Sequence, residues 1–164
     1  MSEMRKTHEF GPCYDGESRI LILGSFPSVK SRETGFYYGH PKNRFWKLLA
    51  SLYGEEEPED ILQKKAFLKK HKIALWDVIE SCEITGSSDS SIRNAAVNDI
   101  GRILKAAPVQ AVYANGKKAE GLYKKHIEPL TGQAAIGLPS TSPANAAFSM
   151  ERLKEAWERI LRCC

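Results

Sequence analysis

The chain has 164 residues, a formal net charge of +4 at pH 7 and a hydrophobic fraction of 42%. This length fits one globular domain over residues 1–164 that buries a core without disulfides or metals, and the composition excludes a wholly disordered chain. No apolar run approaches the roughly 20 residues that cross a bilayer, and the polar start lacks a signal-peptide core. We therefore expect no membrane partner and a cytoplasmic or nuclear protein that is not secreted.

Charge and cysteine content narrow the function only slightly. The mild positive charge does not by itself favour nucleic acid over another partner. Lysine pairs recur in segments of helical periodicity, where a solvated helix face is the usual explanation. These pairs are Lys64–Lys65, Lys69–Lys70, Lys117–Lys118 and Lys124–Lys125. Cys13, Cys82, Cys163 and Cys164 lack CxxC spacing and histidine partners at metal-ligand intervals, so we predict free thiols.

Short apolar runs alternate with helical patterns along the chain. Four runs predict buried strands: Arg19–Gly24, Ile73–Ile79, Val109–Ala114 and Ala134–Leu138. Five segments have the apolar spacing of helices, the last with Ser149 as its N-cap: Phe45–Leu52, Glu59–Lys72, Val97–Ala107, Gly116–Ile127 and Met150–Leu161. This alternation predicts an α/β fold, a three-layer sandwich in which helices flank a mainly parallel four-stranded central sheet.

Unusual residues follow the first and last predicted strands. In open parallel sheets, ligands bind beyond the carboxyl ends of the strands, where loops and helix N-termini converge. The first strand is followed by Gly24–Ser28 and then by Phe36–Trp46, which contains Phe-Tyr-Tyr and His-Pro-Lys-Asn-Arg-Phe-Trp. The last strand leads into Leu138–Asn145. We expect the chemistry of the protein at these segments.

These segments resemble the two signature motifs of the uracil-DNA glycosylase superfamily. The first is most similar to the hypoxanthine-DNA glycosylase branch, where Gly-Ser-Phe-Pro-Ser is followed by Phe-Tyr-Tyr and His-Pro-x-Asn-x-Phe-Trp. The resemblance covers the strand frame from about Ile20 to Asn145. It implies a monofunctional DNA glycosylase without metal or cofactor that hydrolyses the N-glycosidic bond of a flipped-out deaminated base. We expect the enzyme to be a monomer whose partner is DNA containing such a base.

A glycosylase can attack a base only after the base has left the stack, so it needs a pocket with an aromatic surface and polar groups. The candidate pocket residues are Gly24, Ser25, Phe26, Tyr37, Tyr38 and Asp77. The three aromatic residues among them are candidate stacking surfaces, and simple core packing is the alternative explanation.

Asn43 is the expected catalytic residue. The asparagine of the His-Pro-x-Asn motif is implicated in catalysis in the hypoxanthine branch. Here it would orient the attacking water or stabilise the charge of an oxocarbenium-like transition state. An asparagine immediately before the helix at Phe45–Leu52 is also a natural N-cap. The two roles do not exclude each other, but only catalysis predicts a large loss of rate without unfolding.

The loop at Pro139–Asn145 combines hydroxyl groups that suit phosphate contact with prolines that stiffen the chain. An ordinary capped turn is the alternative. The candidate DNA-binding residues are His40, Ser140, Thr141, Ser142, Pro143 and Asn145. His40 could instead assist protonation of the leaving base or be a satisfied loop histidine. Asp89 is either a pocket residue or part of an Asx-turn.

Three positions depart from the uracil-specific enzymes. Phe26 stands where their first motif has an acid or amide that handles water, and Leu138 replaces their second-motif histidine. Asp77 takes the place of the asparagine that reads uracil, although an aspartate at a strand end also caps turns. An ionised aspartate accepts from the N1–H of hypoxanthine but faces a lone pair on adenine. These departures favour hypoxanthine over uracil, with xanthine as a further possible substrate.

Two rival functions stay open at this stage. A serine acyl hydrolase would use Ser25, His40 and Asp77, but Ser25 lacks the Gly-x-Ser-x-Gly elbow. A nucleic-acid binding module would keep the fold without the chemistry. A dinucleotide-binding domain has less support, because Gly24–Ser28 lacks G-x-G-x-x-G.

Overall fold

The computed structural model describes residues 4–7, 11–27, 29–84 and 91–162. Four residues discussed above therefore lie outside the described residues: Ser28, Asp89, Cys163 and Cys164. The strands are β1 (Met4–Thr7), β2 (Ile20–Gly24), β3 (Ile73–Asp77), β4 (Ile79–Ile84), β5 (Arg93–Val97), β6 (Ala111–Asn115) and β7 (Ala135–Leu138). The helices are α1 (Val29–Thr34), α2 (Phe45–Tyr53), α3 (Ile61–Lys70), α4 (Gly101–Ala106), α5 (Lys117–His126), α6 (Glu128–Thr131) and α7 (Met150–Trp157), followed by a 3-10 helix at Glu158–Arg162.

A parallel four-stranded sheet lies at the centre, in the order β3-β2-β6-β7. Every residue of β2 and β3 is buried, as their continuous apolar runs predict for strands covered on both faces. The register pairs Ile20 with Ile73 at one end and Gly24 with Asp77 at the other. Gly24 and Asp77 therefore lie side by side at the carboxyl edge of the sheet.

Helices flank this sheet and complete the three-layer α/β architecture that the sequence predicts. Helix α3 contacts β3, and α5 contacts β6 and β7. Helix α2 packs against α7 through the rings of Phe45 and Trp157, whose centroids lie 6.0 Å apart in an edge-on arrangement. The indole Nε1 of Trp157 donates to the carbonyl of Pro139 at 2.9 Å, so α7 also supports the loop that follows β7.

The single strand predicted over Ile73–Ile79 is wrong at its end. Strand β3 stops at Asp77, and Ile79 begins β4 in a different, antiparallel sheet of order β1-β4-β5. The Nδ2 group of Asn98 donates to the carbonyls of Asp77 and Ile79 at 2.9 and 3.2 Å, which satisfies the backbone where the chain leaves the central sheet. Because residues on both sides of the break are buried, hydrophobicity alone does not reveal it.

The helix predicted over Val97–Ala107 is wrong at its start. Val97 ends β5, and α4 begins only at Gly101. Val97 pairs with Ile79 across the small sheet, and this long-range contact overrides the helical spacing of the apolar residues. The predicted N-cap of the last helix is confirmed, since the Ser149 hydroxyl accepts from the backbone N–H of Arg152 at 3.2 Å.

Two further findings concern the part of the chain that the structure describes. No helix there is long and apolar enough to cross a membrane. Neither Cys13 nor Cys82 forms a disulfide.

Candidate active site

Gly24, Tyr38 and Asp77 meet at the carboxyl edge of the central sheet. A Cβ atom on Gly24 would lie 2.5 Å from Oδ1 of Asp77 and 3.1 Å from the hydroxyl of Tyr38, so only glycine leaves room for both groups. The Asp77 side chain is 3% exposed. Three of the predicted pocket residues are therefore neighbours, but the carboxylate is enclosed.

Gly24→Ala is expected to lower the free energy of unfolding by about 1–3 kcal/mol, because the added methyl group overpacks a buried region. Urea denaturation measures this change. The matched control is Gly121→Ala in α5, where an added Cβ meets no atom within 4 Å. That change should raise stability by about 0.5–1 kcal/mol through helix propensity. Wild-type stability in Gly24→Ala would contradict the close approach of Asp77.

Tyr37 and Tyr38 follow each other but occupy different environments. Tyr37 is buried, and its hydroxyl donates to the carbonyl of Gly11 at 2.8 Å. Burial raises the pKa of Tyr37 above its ordinary value, and the charge of Asp77 raises it further, so the phenol stays neutral. Tyr38 has a positive φ of 54°, and its ring stacks on Phe45 with centroids 4.0 Å apart. This left-handed backbone, unusual for tyrosine, turns the chain toward the His-Pro-x-Asn segment.

An open cavity of about 340 Å³ lies beside that segment. Its lining residues are Tyr38, Gly39, His40, Pro41, Asn43, Trp46, Glu57, Pro58, Glu59 and Lys64. The structure thus brings three predicted site residues, Tyr38, His40 and Asn43, to one cavity. Asp77 and Ser25 do not line it.

Asn43 both caps a helix and contacts the second motif. Its Oδ1 atom accepts from the backbone N–H of Phe45 at 2.9 Å and from the hydroxyl of Thr141 at 2.8 Å. The N-cap position itself belongs to Arg44, which makes no side-chain cap bond, so Asn43 caps α2 from one residue earlier than predicted. The capping and catalytic explanations are therefore compatible in this structure.

Thr141 connects Asn43 to the end of β6. The Thr141 side chain is fully buried, unlike the exposed DNA contact that its hydroxyl suggested. Its backbone N–H donates to Oδ1 of Asn115 at 3.1 Å, and Nδ2 of Asn115 donates to the Thr141 hydroxyl at 3.1 Å. Sequence reasoning missed Asn115, although a polar residue directly after the apolar run Val109–Ala114 was a signal at the expected edge of the sheet.

Hydrogen bonds from Arg44 stabilise the loop that follows β7. Its Nη2 atom donates to the carbonyls of Ser142 and Asn145 at 3.1 and 3.0 Å, and Nη1 donates to the carbonyl of Phe148. Its backbone N–H donates to the carbonyl of Thr141 at 3.1 Å. Sequence reasoning missed Arg44 because it occupies an unspecified position, the second x, of His-Pro-x-Asn-x-Phe-Trp.

The remaining loop candidates lie near the surface. Pro143 is exposed, whereas Ser140, Ser142 and Asn145 are half-buried. Nδ2 of Asn145 donates to the carbonyl of Ser140 at 3.0 Å, and the Ser140 hydroxyl accepts from the backbone N–H of Ser142 at 3.1 Å. These bonds hold the loop in one shape beside Asn43.

Ser25 and Phe26 join the two sheets. The carbonyl of Ser25 accepts from the backbone N–H of Ile79 at 3.0 Å. Phe26 is buried in a second apolar cluster with four residues, Ile79, Cys82, Ile84 and Ile92. The guanidinium carbon of Arg32 lies 5.6 Å from the Phe26 ring centroid. Phe26 therefore packs under the small sheet and does not line the cavity beside Asn43.

The serine hydrolase arrangement is not formed. The Nδ1 atom of His40 accepts from the backbone N–H of Lys42 at 3.0 Å, and His40 makes no hydrogen bond to Ser25 or Asp77. Within the described ranges, no group of three or more histidine, cysteine or acidic side chains could hold a metal ion.

The loop between α2 and α3 adds charged residues that sequence reasoning did not assign to the site. Glu57 and Glu59 reach the cavity from this loop, and Lys64 reaches it from α3. The Lys64 ammonium lies 5.3 Å from the centroid of the Trp46 ring, and burial lowers the pKa of Lys64. Lys64 was predicted to lie on a solvated helix face, but it is half-buried at this cavity.

Comparisons with known proteins show the family of this chain. The family model of the uracil DNA glycosylase superfamily matches residues 10–161. A hypoxanthine DNA glycosylase of Methanosarcina acetivorans is 37% identical over 155 residues, which cover 93% of this chain and 96% of the relative. A protein of the same description from Methanosarcina barkeri is 36% identical over 159 residues, which cover 96% and 99%.

A solved structure is also similar. The solution NMR structure of a Methanosarcina acetivorans protein described as a uracil DNA glycosylase has a TM-score of 0.81 and 36% identity, covering 97% of this chain and 98% of that one. The chain therefore belongs to the uracil DNA glycosylase superfamily and is a DNA glycosylase, a hydrolase of N-glycosyl bonds. The resemblance found in the two sequence motifs is confirmed.

Proposed function

We propose that this glycosylase removes hypoxanthine from DNA by a monofunctional mechanism, leaving an abasic site and an intact strand. The observation that carries the proposal is the bond between Asn43 of the first motif and Thr141 of the second, which makes the two motifs one site at a cavity. Two relatives described as hypoxanthine DNA glycosylases support this substrate. The structurally similar protein described as a uracil DNA glycosylase makes uracil the second substrate to test.

The cavity offers groups suited to an extruded nucleotide. Tyr38 and Trp46 supply aromatic surface, and Asn43 and His40 supply polar groups. Lys42 and Lys47 are exposed and line a second cavity, of about 390 Å³, that also includes Asn43. Ammonium groups beside the reacting position suit the phosphates that flank the flipped base. This arrangement supports DNA as the partner of the cavity.

Labelled duplexes test the proposal. Each carries one hypoxanthine, xanthine or uracil, and a matched duplex carries only normal bases. We expect alkali-sensitive sites in the hypoxanthine duplex, produced at the same rate with a chelator present. Strand scission before alkali, or covalent trapping with borohydride, would contradict the monofunctional mechanism. Binding without release of any base would favour the non-catalytic binding module.

Asp77→Asn is expected to slow hypoxanthine release and to narrow the preference for hypoxanthine over adenine. We propose that the carboxylate accepts the N1–H of hypoxanthine and faces a lone pair on adenine, a difference of about 1–3 kcal/mol. Because Asp77 is enclosed beside Tyr38 and Gly24, this contact requires Tyr38 to move aside. Single-turnover rates on hypoxanthine and adenine duplexes measure the effect. Unchanged rates and unchanged preference would remove Asp77 from base recognition.

A further inference from the structure

We propose that Thr141, held by Asn115, is a positioning residue that turns the Asn43 amide so that its NH₂ group faces the cavity. Asn43 would then act as a hydrogen-bond donor to the departing base and not as an acceptor that orients water. This inference rests on the proposed removal of a deaminated base at this site, and it assigns the chemical role of the catalytic amide.

Backbone N–H donors determine which atom of each side-chain amide is Oδ1 and which is Nδ2. A backbone N–H can only donate, so the Asn43 atom that lies 2.9 Å from the Phe45 nitrogen is the acceptor Oδ1. The Asn115 atom that lies 3.1 Å from the Thr141 nitrogen is Oδ1 for the same reason. The orientations of both amides therefore follow from fixed donors.

The direction of the hydrogen-bond chain follows from these two assignments. With its Oδ1 on the Thr141 backbone, Asn115 presents Nδ2 to the Thr141 hydroxyl and donates to it at 3.1 Å. The hydroxyl uses its own proton in the 2.8 Å bond to Oδ1 of Asn43. Because Thr141 is fully buried, water does not compete for this hydroxyl.

These hydrogen bonds leave the Nδ2 group of Asn43 available to a ligand. Its Oδ1 atom already accepts two hydrogen bonds, whereas no described residue accepts from Nδ2. Asn43 lines the cavity, so the group that it can direct toward a ligand is a donor. A water that needs an acceptor to become more nucleophilic gains little from this amide.

A donor suits the leaving base. In hydrolysis the electron pair of the C1′–N9 bond moves onto the purine. The negative charge that the purine gains spreads over N3, N7 and O6. Water supplies the oxygen that bonds to C1′, and the proton lost by that water ends on the released base. An N–H aimed at an acceptor atom of the purine stabilises the charge as it develops. The same donor near the positive sugar would oppose the reaction.

Five variants test the inference on a hypoxanthine duplex, with single-turnover rates at saturating enzyme, duplex Kd and melting temperature as readouts. Thr141→Val removes the hydroxyl at nearly constant volume and should slow release at least about tenfold at unchanged Kd, whereas Thr141→Ser should stay within about threefold of wild type. Asn43→Asp keeps acceptors but loses the donor, so it should be as slow as Asn43→Ala. Asn115→Asp should also slow release, because its carboxylate would attract the Thr141 proton away from Asn43.

The outcomes separate the two proposals. No base release by the wild-type protein would contradict the proposed function itself. If the wild type is active, two results would overturn the donor role: Asn43→Asp faster than Asn43→Ala, or Thr141→Val at the wild-type rate. Either result would leave the proposed function unaffected. If Thr141→Val does not fold, Asn115→Asp decides, and a wild-type rate in that folded variant would equally overturn the inference.

Discussion

Asn43→Ala is expected to lower the single-turnover rate of hypoxanthine release by at least about tenfold, about 1.4 kcal/mol of transition-state stabilisation. The amide lines the cavity, and two hydrogen bonds to Oδ1 hold it there. The variant also loses the bond to the N–H of Phe45, and a lost helix cap costs about 1 kcal/mol of stability. Rapid quench of enzyme–DNA mixtures measures the rate, and thermal unfolding measures the stability.

A matched variant separates the two effects. Asp60 caps α3, since its Oδ1 accepts from the backbone N–H of Gln63 at 2.8 Å. Asp60→Ala should therefore lower stability by a similar amount while the rate of release stays within about twofold of wild type. If Asn43→Ala melts earlier but releases base at the wild-type rate, Asn43 only caps α2.

Arg44→Ala is expected to lower the free energy of unfolding by about 2–3 kcal/mol and to weaken both DNA binding and base release. One guanidinium donates to the carbonyls of Ser142, Asn145 and Phe148, and a hydrogen bond to a charged group contributes about 1.5–3 kcal/mol net. Because these three residues are half-buried, water can hydrate their carbonyls in the variant, so the expected loss is smaller than the sum of three bonds. Without these hydrogen bonds, the loop can leave the position that keeps Thr141 in contact with Asn43. Urea denaturation and fluorescence anisotropy with a labelled duplex measure the two effects.

Charge and shape are separable at this position. Arg44→Lys keeps the charge, but an ammonium group cannot span three carbonyls, so most of the loss should remain. Lys47→Ala removes a charge from the exposed face of the same helix and should leave the melting temperature unchanged. Full recovery of stability in Arg44→Lys would show that charge, and not the planar guanidinium, stabilises the loop.

The central sheet was predictable because its signal is local. Strands buried on both faces require continuous apolar runs, and β2 and β3 satisfy this rule up to Asp77, the last residue of β3. The small antiparallel sheet gave no comparable signal. Residues of β5 are half-buried or exposed, and the first residue of β4, Ile79, follows Val78 at the end of the segment that the sequence predicts as one strand. Strand pairing and the hydrogen bonds from Asn98 show where the chain changes sheets.

The sequence by itself determined the α/β class and the glycosylase motifs, and it predicted Asn43 as the catalytic residue, because each depends on residue type and short-range spacing. The tertiary structure alone decided what Asn43 contacts. Its partner Thr141 lies 98 residues away along the chain, and Thr141 in turn depends on Asn115. The acceptors of Arg44 are equally distant. A hydrogen bond between such segments has no sequence period, because it depends on which strands become neighbours and how their loops meet at the edge of the sheet.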